Sequence, residues 1–206
     1  MRNIFPLALI MLIACNQNRK DIVAIHKPAD KNFTINILPY KGFDTALLPM
    51  IKNEIESFYH CKCTFLTEAD LPSFAFYAPR NRYKADSLLS FENRFADKNN
   101  IVIGLTNKDI STRNNDIPDW GILGLGVCPG STCVVSTYRI EKSSTSTTQF
   151  KERLIKIILH ELGHNFGLPH CTNNPECLMT AAEGKIAQVD REKKWLCDKC
   201  RKKLDN

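Results

Sequence analysis

Apolar residues along this chain alternate between two spacings, one typical of strands and one typical of helices. Short apolar runs predict strands, and apolar residues at every third or fourth position predict amphipathic helices. The segment IVIGL is apolar at every position, which predicts a strand buried on both faces of a sheet. The predicted strands are Phe33–Leu38, Cys61–Leu66, Ile101–Leu105 and Cys133–Ile140. The predicted helices are Thr45–Tyr59, Tyr83–Phe95, Gln149–Phe166 and about Gly184–Lys203.

Strands that alternate with helices indicate an α/β fold, and a chain of 206 residues fits one domain with a small appendage. The composition is that of a globular protein, with 43% hydrophobic and 24% charged residues. The net charge of +6 is modest and is not concentrated in a basic patch with aromatic residues between the charges. We therefore expect no nucleic-acid partner.

The first fifteen residues, MRNIFPLALIMLIAC, combine one basic residue, a short apolar run and a cysteine. The apolar run is shorter than the roughly 20 residues that span a membrane, so residues 1–14 predict a signal peptide. The sequence Leu-Ile-Ala-Cys resembles the lipobox of bacterial lipoproteins, which implies a lipid on Cys15 and a place in the cell envelope outside the cytoplasm. The polar residues up to position 32 predict a tether. An ordinary signal peptide or a buried N-terminal helix is the alternative.

Three of the five histidines fall within HELGHNFGLPHC, residues 160–171. His160 and His164 are four residues apart on a predicted helix, so one face carries both imidazoles, which can share one ion. Gly167 can take the left-handed conformation that ends a helix, and the returning chain supplies His170 as a third ligand. The fourth position stays open, which predicts a catalytic zinc site with Glu161 as general base.

The string HELGHNFGLPH resembles the zinc signature of the metzincin peptidases. The residues after it narrow this resemblance to the archaemetzincins, whose extended signature is HExxHxxGxxHC, CxM and CxxC. Here Cys171 follows the third histidine, and Cys-Leu-Met at 177–179 and Cys-Asp-Lys-Cys at 197–200 come next. That family places four residues between the first two cysteines, whereas this chain has five, TNNPE. The resemblance covers about residues 33–203.

The resemblance implies a metzincin-like catalytic subdomain at residues 33–170, with a mixed twisted sheet and an active-site helix, and a small C-terminal subdomain at residues 171–206. It implies that Glu161 is the base and that Met179 is the Met-turn residue beneath the histidines. It implies two zinc ions. The catalytic zinc would be bound by His160, His164 and His170, and the structural zinc by Cys171, Cys177, Cys197 and Cys200.

The remaining cysteines leave several alternatives. Thiols outside the cytoplasm tend to oxidise, so the four C-terminal cysteines could instead form two disulfides. Cys128 and Cys133 flank a turn-like Pro-Gly-Ser-Thr and could form a disulfide, while the state of Cys61 and Cys63 is open. The predicted strand at Val134–Tyr138 is the expected edge to which a peptide could add.

We therefore expect a monomeric zinc metallopeptidase that acts on peptides or proteins and is held at the membrane through Cys15. The alternative is a non-catalytic, zinc-stabilised lipoprotein that acts as a binding module. Glu161 speaks against it, because a site that only holds metal does not need that carboxylate. A nucleic-acid-binding zinc module, suggested by C-x2-C and the basic tail, conflicts with the signal peptide and the modest charge.

Overall fold

The computed structural model describes residues 33–205, so the predicted signal peptide, Cys15 and the tether lie outside the described residues. Within the described part of the chain, no helix is long and apolar enough to cross a membrane. The elements in chain order are β1 (Thr34–Pro39), α1 (Leu48–Tyr59), β2 (Lys62–Phe65), β3 (Phe76–Tyr77), β4 (Arg82–Lys84), α2 (Ala85–Glu92), β5 (Asn100–Thr106), β6 (Ile110–Asn114), β7 (Ile117–Ile122), β8 (Gly124–Gly126), β9 (Thr132–Ser136), α3 (Thr137–Ser143), α4 (Thr147–Asn165), α5 (Ile186–Arg191) and α6 (Asp198–Asp205).

The main sheet has five strands in the order β2-β1-β5-β9-β8. Its first four strands are parallel, and β8 is antiparallel to β9, so the sheet is mixed, as expected. Every residue of β5 is buried, which confirms the prediction from its unbroken apolar run. In this central strand Ile103 lies opposite Ile37 on one side and Cys133 on the other.

Helices cover both faces of the main sheet. On one face, α1 and α4 bury Ile51, Ile55, Leu154 and Ile158 in the larger hydrophobic core. On the other face, α2 packs Leu88 into a smaller apolar cluster. Helix α4 begins at Thr147 because the Ser146 side chain accepts a hydrogen bond from the backbone N–H of Gln149. The predicted helices at Thr45–Tyr59 and Gln149–Phe166 are thus confirmed, the first with a 3-10 turn at Thr45–Leu47 ahead of it.

A second sheet, with strands in the order β3-β4-β6-β7, was not predicted. Its strands are short and largely polar, and β7 has no buried residue. Charged side chains hold the sheet together instead of a continuous apolar face. Arg82 of β4 reaches Asp109 with its Nε at 2.7 Å and Asp119 with its Nη1 at 3.0 Å.

The predicted strand Cys133–Ile140 is wrong beyond Ser136. The Ser136 hydroxyl accepts a hydrogen bond from the backbone N–H of Tyr138 and thereby starts helix α3. The expected peptide-binding edge at Val134–Tyr138 is wrong as well, because β9 lies between β5 and β8 and is paired on both sides. The strand at this edge of the sheet is β8.

The predicted final helix is also wrong as a single element, because α5 and α6 are separated by extended chain. Residues around Trp195 run back along the segment at 176–178, where Leu178 N–H donates to Trp195 O at 2.9 Å and Lys193 N–H donates to Glu176 O at 2.8 Å. These hydrogen bonds replace helical ones. They carry Cys197 back towards Cys177, whose sulfur accepts from the Cys197 N–H at 3.4 Å.

Candidate active site and cysteine cluster

The three predicted histidines converge at the C-terminal end of α4. Gly167 has a φ of +85°, which ends the helix, and its N–H donates to His164 O at 2.8 Å. The ring centroids of His160, His164 and His170 are 4.7, 4.8 and 5.4 Å apart in pairs. One nitrogen from each ring lies within 4.8 Å of the other two, which is the spacing of a shared metal site.

Backbone carbonyls fix the orientation of two of these rings. His160 Nδ1 lies 2.7 Å from Leu178 O, and His164 Nδ1 lies 2.8 Å from Leu168 O. A carbonyl oxygen can only accept, so both Nδ1 atoms carry a proton and both Nε2 atoms keep a free lone pair. That is the tautomer in which a histidine binds zinc, so the donor set fits this metal.

The electrostatic surroundings keep the histidines neutral. Burial and, to a smaller extent, the neighbouring His164 lower the pKa of His160 to about 3. Burial lowers the pKa of His164 to about 4, with His170 acting in the same direction. Burial also lowers the pKa of His170, although Glu183 opposes this. All three imidazoles are therefore in their metal-binding form at neutral pH.

The Glu161 side chain is buried between α4 and the edge strand β8. A β-carbon at Gly124 would lie 2.8 Å from Glu161 Cγ, and one at Gly126 would lie 3.2 Å from Oε2. Burial raises the pKa of Glu161 to about 8, against the effect of a backbone hydrogen bond from Gly126. Sequence reasoning missed these two glycines. Their signal was the pattern GLG within a strand, which indicates that another group approaches the backbone closely.

Met179, which the resemblance assigns to the Met-turn, is fully buried. Its carbonyl oxygen accepts from the Cys171 N–H at 2.7 Å. His160 also hydrogen-bonds the residue before it, Leu178. The turn that contains Met179 is therefore tied both to the active-site helix and to the first cysteine of the second cluster.

The four C-terminal cysteines form a second compact cluster. All are buried free thiols, and their sulfurs lie within 4.8 Å of one another. Cys171 Sγ and Cys197 Sγ are 3.6 Å apart, far beyond the roughly 2.05 Å of a disulfide. Four sulfurs at about 2.3 Å from a zinc ion form a tetrahedron with edges of about 3.8 Å, so the cluster fits zinc. The other two cysteines of this cluster are Cys177 and Cys200.

Between Cys171 and Cys177 the chain makes a turn at Asn174. The Asn174 carbonyl oxygen accepts from the Cys177 N–H at 3.1 Å, and its side chain accepts from the Glu176 N–H at 2.8 Å. Burial raises the pKa of the Cys171 thiol, but hydrogen bonds from the Asn173 and Asn174 backbone lower it. Hydrogen bonds with Cys197 and Cys200 lower it as well, and the resulting pKa is about 7. At least one thiolate is thus accessible near neutral pH, as metal binding requires.

The sequence left open a disulfide between Cys128 and Cys133, and the structure does not form it, because Cys133 is a free thiol. Cys133 is fully buried in the larger core, whereas Cys128 Sγ lies 3.5 Å from Leu168 O. The two side chains therefore have different surroundings despite their closeness in sequence. Cys61 and Cys63, whose state the sequence left open, are free thiols too.

Comparisons with known proteins agree with this site. A family model described as peptidase family M54 matches residues 64–206. The archaemetzincin of Halobacterium salinarum strain R1 is 30% identical over 175 residues, which cover 82% of this chain and 97% of the relative.

Two solved archaemetzincin structures share the fold. That of Methanopyrus kandleri has a TM-score of 0.71 at 24% identity and covers 85% of this chain and 96% of its own. That of Archaeoglobus fulgidus, solved with malonate, has a TM-score of 0.70 at 24% identity and covers 83% of this chain and 99% of its own. The predicted fold class and the predicted family are confirmed. The chain belongs to peptidase family M54 and is a zinc metallopeptidase related to the archaemetzincins.

Proposed function

We propose that this chain hydrolyses peptide bonds with a zinc ion on His160, His164 and His170 and with Glu161 as general base. The observation that carries the proposal is the convergence of three neutral imidazoles, two of them fixed through Nδ1, beside a buried carboxyl group on the same helix. A site for metal storage or structure alone has no use for a buried carboxyl group beside the three imidazoles.

Zinc, when bound, supplies Lewis acidity that activates water and polarises the peptide carbonyl. Glu161 accepts the proton of the attacking water and passes it to the leaving amine. Contact with Gly124 and Gly126 of β8 fixes the position of its side chain. Because β8 is the edge of the main sheet, a peptide bound along it as an added strand lies next to Glu161.

We also propose a second zinc ion on Cys171, Cys177, Cys197 and Cys200, so that the chain holds two. The sulfur spacing supports it, and so does the position of the cluster. Segment 171–205 contributes only two short helices and has little core of its own. A zinc ion at this cluster ties the segment to the active-site helix through Cys171, the residue directly after His170.

For the N-terminal residues we propose a cleaved signal peptide, a lipid on Cys15 and a place in the bacterial envelope outside the cytoplasm. The sequence MRNIFPLALIMLIAC supports this. We further propose that the chain acts as a monomer on peptide or protein substrates and binds no nucleic acid. Metabolic labelling with a fatty acid, followed by membrane fractionation, tests the anchor, and Cys15→Ala should abolish both signals.

The decisive experiment compares the full chain with its Glu161→Gln variant. Elemental analysis should find the same zinc content in both, because Glu161 is not a ligand. Cleavage of a peptide library should fall by about 10²–10⁴-fold in the variant, as expected for loss of a general base. If the unmodified chain binds zinc and cleaves no peptide in the library, the non-catalytic binding module is favoured instead.

A further inference from the structure

A cavity of 520 Å³ opens between the second sheet, α3 and the chain around Gly184. We call it the cationic pocket. The residues that define it here are Arg82, Leu123, Tyr138, Arg139, Lys142 and Gly184. Its volume is in the range of pockets that enclose a small ligand or a large side chain.

The cationic pocket adjoins the active site along two segments of the chain. Leu123 lines the pocket, and the next residue, Gly124, lies against Glu161. On the opposite side Gly184 lines the pocket, in the chain that follows the turn in which Met179 packs against α4. Because Leu123 and Gly124 are consecutive, the pocket lies beside the strand against which Glu161 is buried.

Two arginines of the pocket are held by one buried carboxylate. Asp109 accepts from Arg82 Nε at 2.7 Å, from Arg139 Nε at 2.6 Å and from Arg139 Nη2 at 3.1 Å. The Arg139 guanidinium also lies against Gly121, where any β-carbon would overlap it. Both side chains are thus fixed in place before a ligand arrives, which lowers the entropic cost of binding.

Each arginine still has hydrogen-bonding capacity. Among the described residues, Arg82 Nη2 and Arg139 Nη1 have no hydrogen-bond partner. Lys142 Nζ donates to the Tyr138 hydroxyl at 2.6 Å and has no carboxylate partner in the described part of the chain. Because the Tyr138 oxygen accepts that bond, its own proton is available to donate. The pocket therefore offers several donors and an excess of positive charge.

Positive charge exceeds negative charge around the pocket. Of the side chains that line the pocket, three are cationic, namely Arg82, Arg139 and Lys142, and one, Asp109, is anionic. A ligand that brings one carboxylate would meet charge-assisted donors at a partly enclosed surface.

We propose that the cationic pocket makes this enzyme selective for a peptide carboxylate next to the scissile bond, either an acidic side chain or the free C-terminus. The proposal rests on the proposed peptidase function and adds a substrate class to it. Arg82, Arg139 and Lys142 are the specificity-determining residues. An acidic side chain and a free C-terminus both present a carboxylate. Peptides that carry only one of the two distinguish between these substrates.

The test measures binding separately from cleavage. Fluorescence anisotropy with the zinc-loaded Glu161→Gln chain gives the Kd for peptide pairs that differ by Glu against Gln at each position in turn, and by a free against an amidated C-terminus. We expect the carboxylate member of one such pair to bind about tenfold more tightly, and this ratio should fall as salt is added. The unmodified enzyme should show the same preference in kcat/KM.

Charge reversal at Lys142 distinguishes a direct contact between Lys142 and the peptide carboxylate from an indirect structural effect. Lys142→Glu should remove the carboxylate preference and favour a peptide with Lys at that position, whereas Lys151→Glu, an equal charge change on the exposed side of α4, should leave the preference unchanged. Arg139→Gln should also abolish it. Equal Kd values within every peptide pair, or no peptide binding, would overturn the proposal. Carboxylate-selective binding without cleavage by the unmodified chain would instead contradict only the peptidase function.

Discussion

Met179 packs against Gly163, which lies in the helical turn between His160 and His164. A β-carbon at Gly163 would come within 2.5 Å of the Met179 sulfur and within 3.2 Å of the Tyr59 hydroxyl oxygen. Only a glycine at this position lets the turn after the cysteine cluster pack against the helix that carries two of the histidines.

Gly163→Ala should therefore destabilise the protein, because the additional methyl group has no space unless Met179 moves. Overpacking of this kind costs about 1–3 kcal/mol, and zinc affinity should fall as His160 loses its contact with Leu178 O. Urea unfolding and competition with a zinc chelator measure the two effects. In a double-mutant cycle, Met179→Ala should recover part of the loss. Strict additivity of the two changes would contradict the contact.

Gly124→Ala should impair catalysis while leaving zinc in place. The new methyl group would meet Glu161 Cγ at 2.8 Å and Oε1 at 2.9 Å, which forces the carboxyl group away. Small displacements of a catalytic group can cost up to about 10²-fold in rate, so we expect kcat to fall by at least about tenfold. Elemental analysis should show an unchanged metal content. Combined with Glu161→Gln, Gly124→Ala should cause no further loss of kcat, since both changes act on one group.

Cys200→Ala should lower the zinc content from two ions per chain to one. Loss of a structural zinc site costs several kcal/mol, which for a chain of this size corresponds to a decrease in Tm of at least about 10 °C. Because Cys171 N–H donates to Met179 O, the remaining histidine site should also bind zinc less tightly. Calorimetry and chelator titration provide the measurements. An unchanged metal count in this variant would exclude a four-cysteine zinc site.

The parts of the fold that the sequence predicted are those in which apolar spacing determines the element. Helix α4 belongs to this class because its apolar residues recur with the helical period, and strand β5 because its apolar run is unbroken. The second sheet was missed because its strands are short and largely polar and are held by ion pairs of Arg82 with Asp109 and Asp119. Such pairs join distant positions and leave no periodic signal.

The candidate site likewise contains a part that the sequence predicted and a part that it did not. The histidines, Glu161 and the cysteines are fixed by local spacing and could be named from the sequence. The contacts that position them could not be predicted, since the carbonyl groups of Leu168 and Leu178 carry no side-chain signature. The single final helix was predicted from helix-compatible residues, but hydrogen bonds to the segment at 176–178 outweighed that local preference.

Glu92 gives a prediction about stability that is independent of metal. Its side chain is fully buried, and Tyr40 donates a hydrogen bond to Oε1 at 3.0 Å, whereas Oε2 has no hydrogen-bond partner among the described residues. Burial raises the pKa of Glu92 well above its usual range, and the bond from Tyr40 only partly opposes this. The folded chain therefore holds a proton on Glu92 at a pH where the unfolded chain has released it.

The sign of the pH effect follows from that proton. Above the unfolded pKa of about 4.3, the native state binds more protons than the unfolded state, so the contribution of Glu92 to stability falls as pH rises towards its folded pKa. The expected slope is about 1.4 kcal/mol per pH unit. Glu92→Gln removes this dependence. The unfolding free energy of the variant minus that of the unmodified chain should therefore increase between about pH 5 and about pH 7, a range above the unfolded pKa of about 4.3.

Urea unfolding of both proteins across that range measures the difference in unfolding free energy, and groups common to both proteins cancel in it. Glu152→Gln, on the exposed side of α4, is the matched control for the loss of one carboxylate at the surface. A pH-independent difference for Glu92→Gln would mean that Glu92 stays ionised in the folded chain. Its burial without a cationic partner argues against that, because an isolated buried carboxylate is far less favourable than its protonated form.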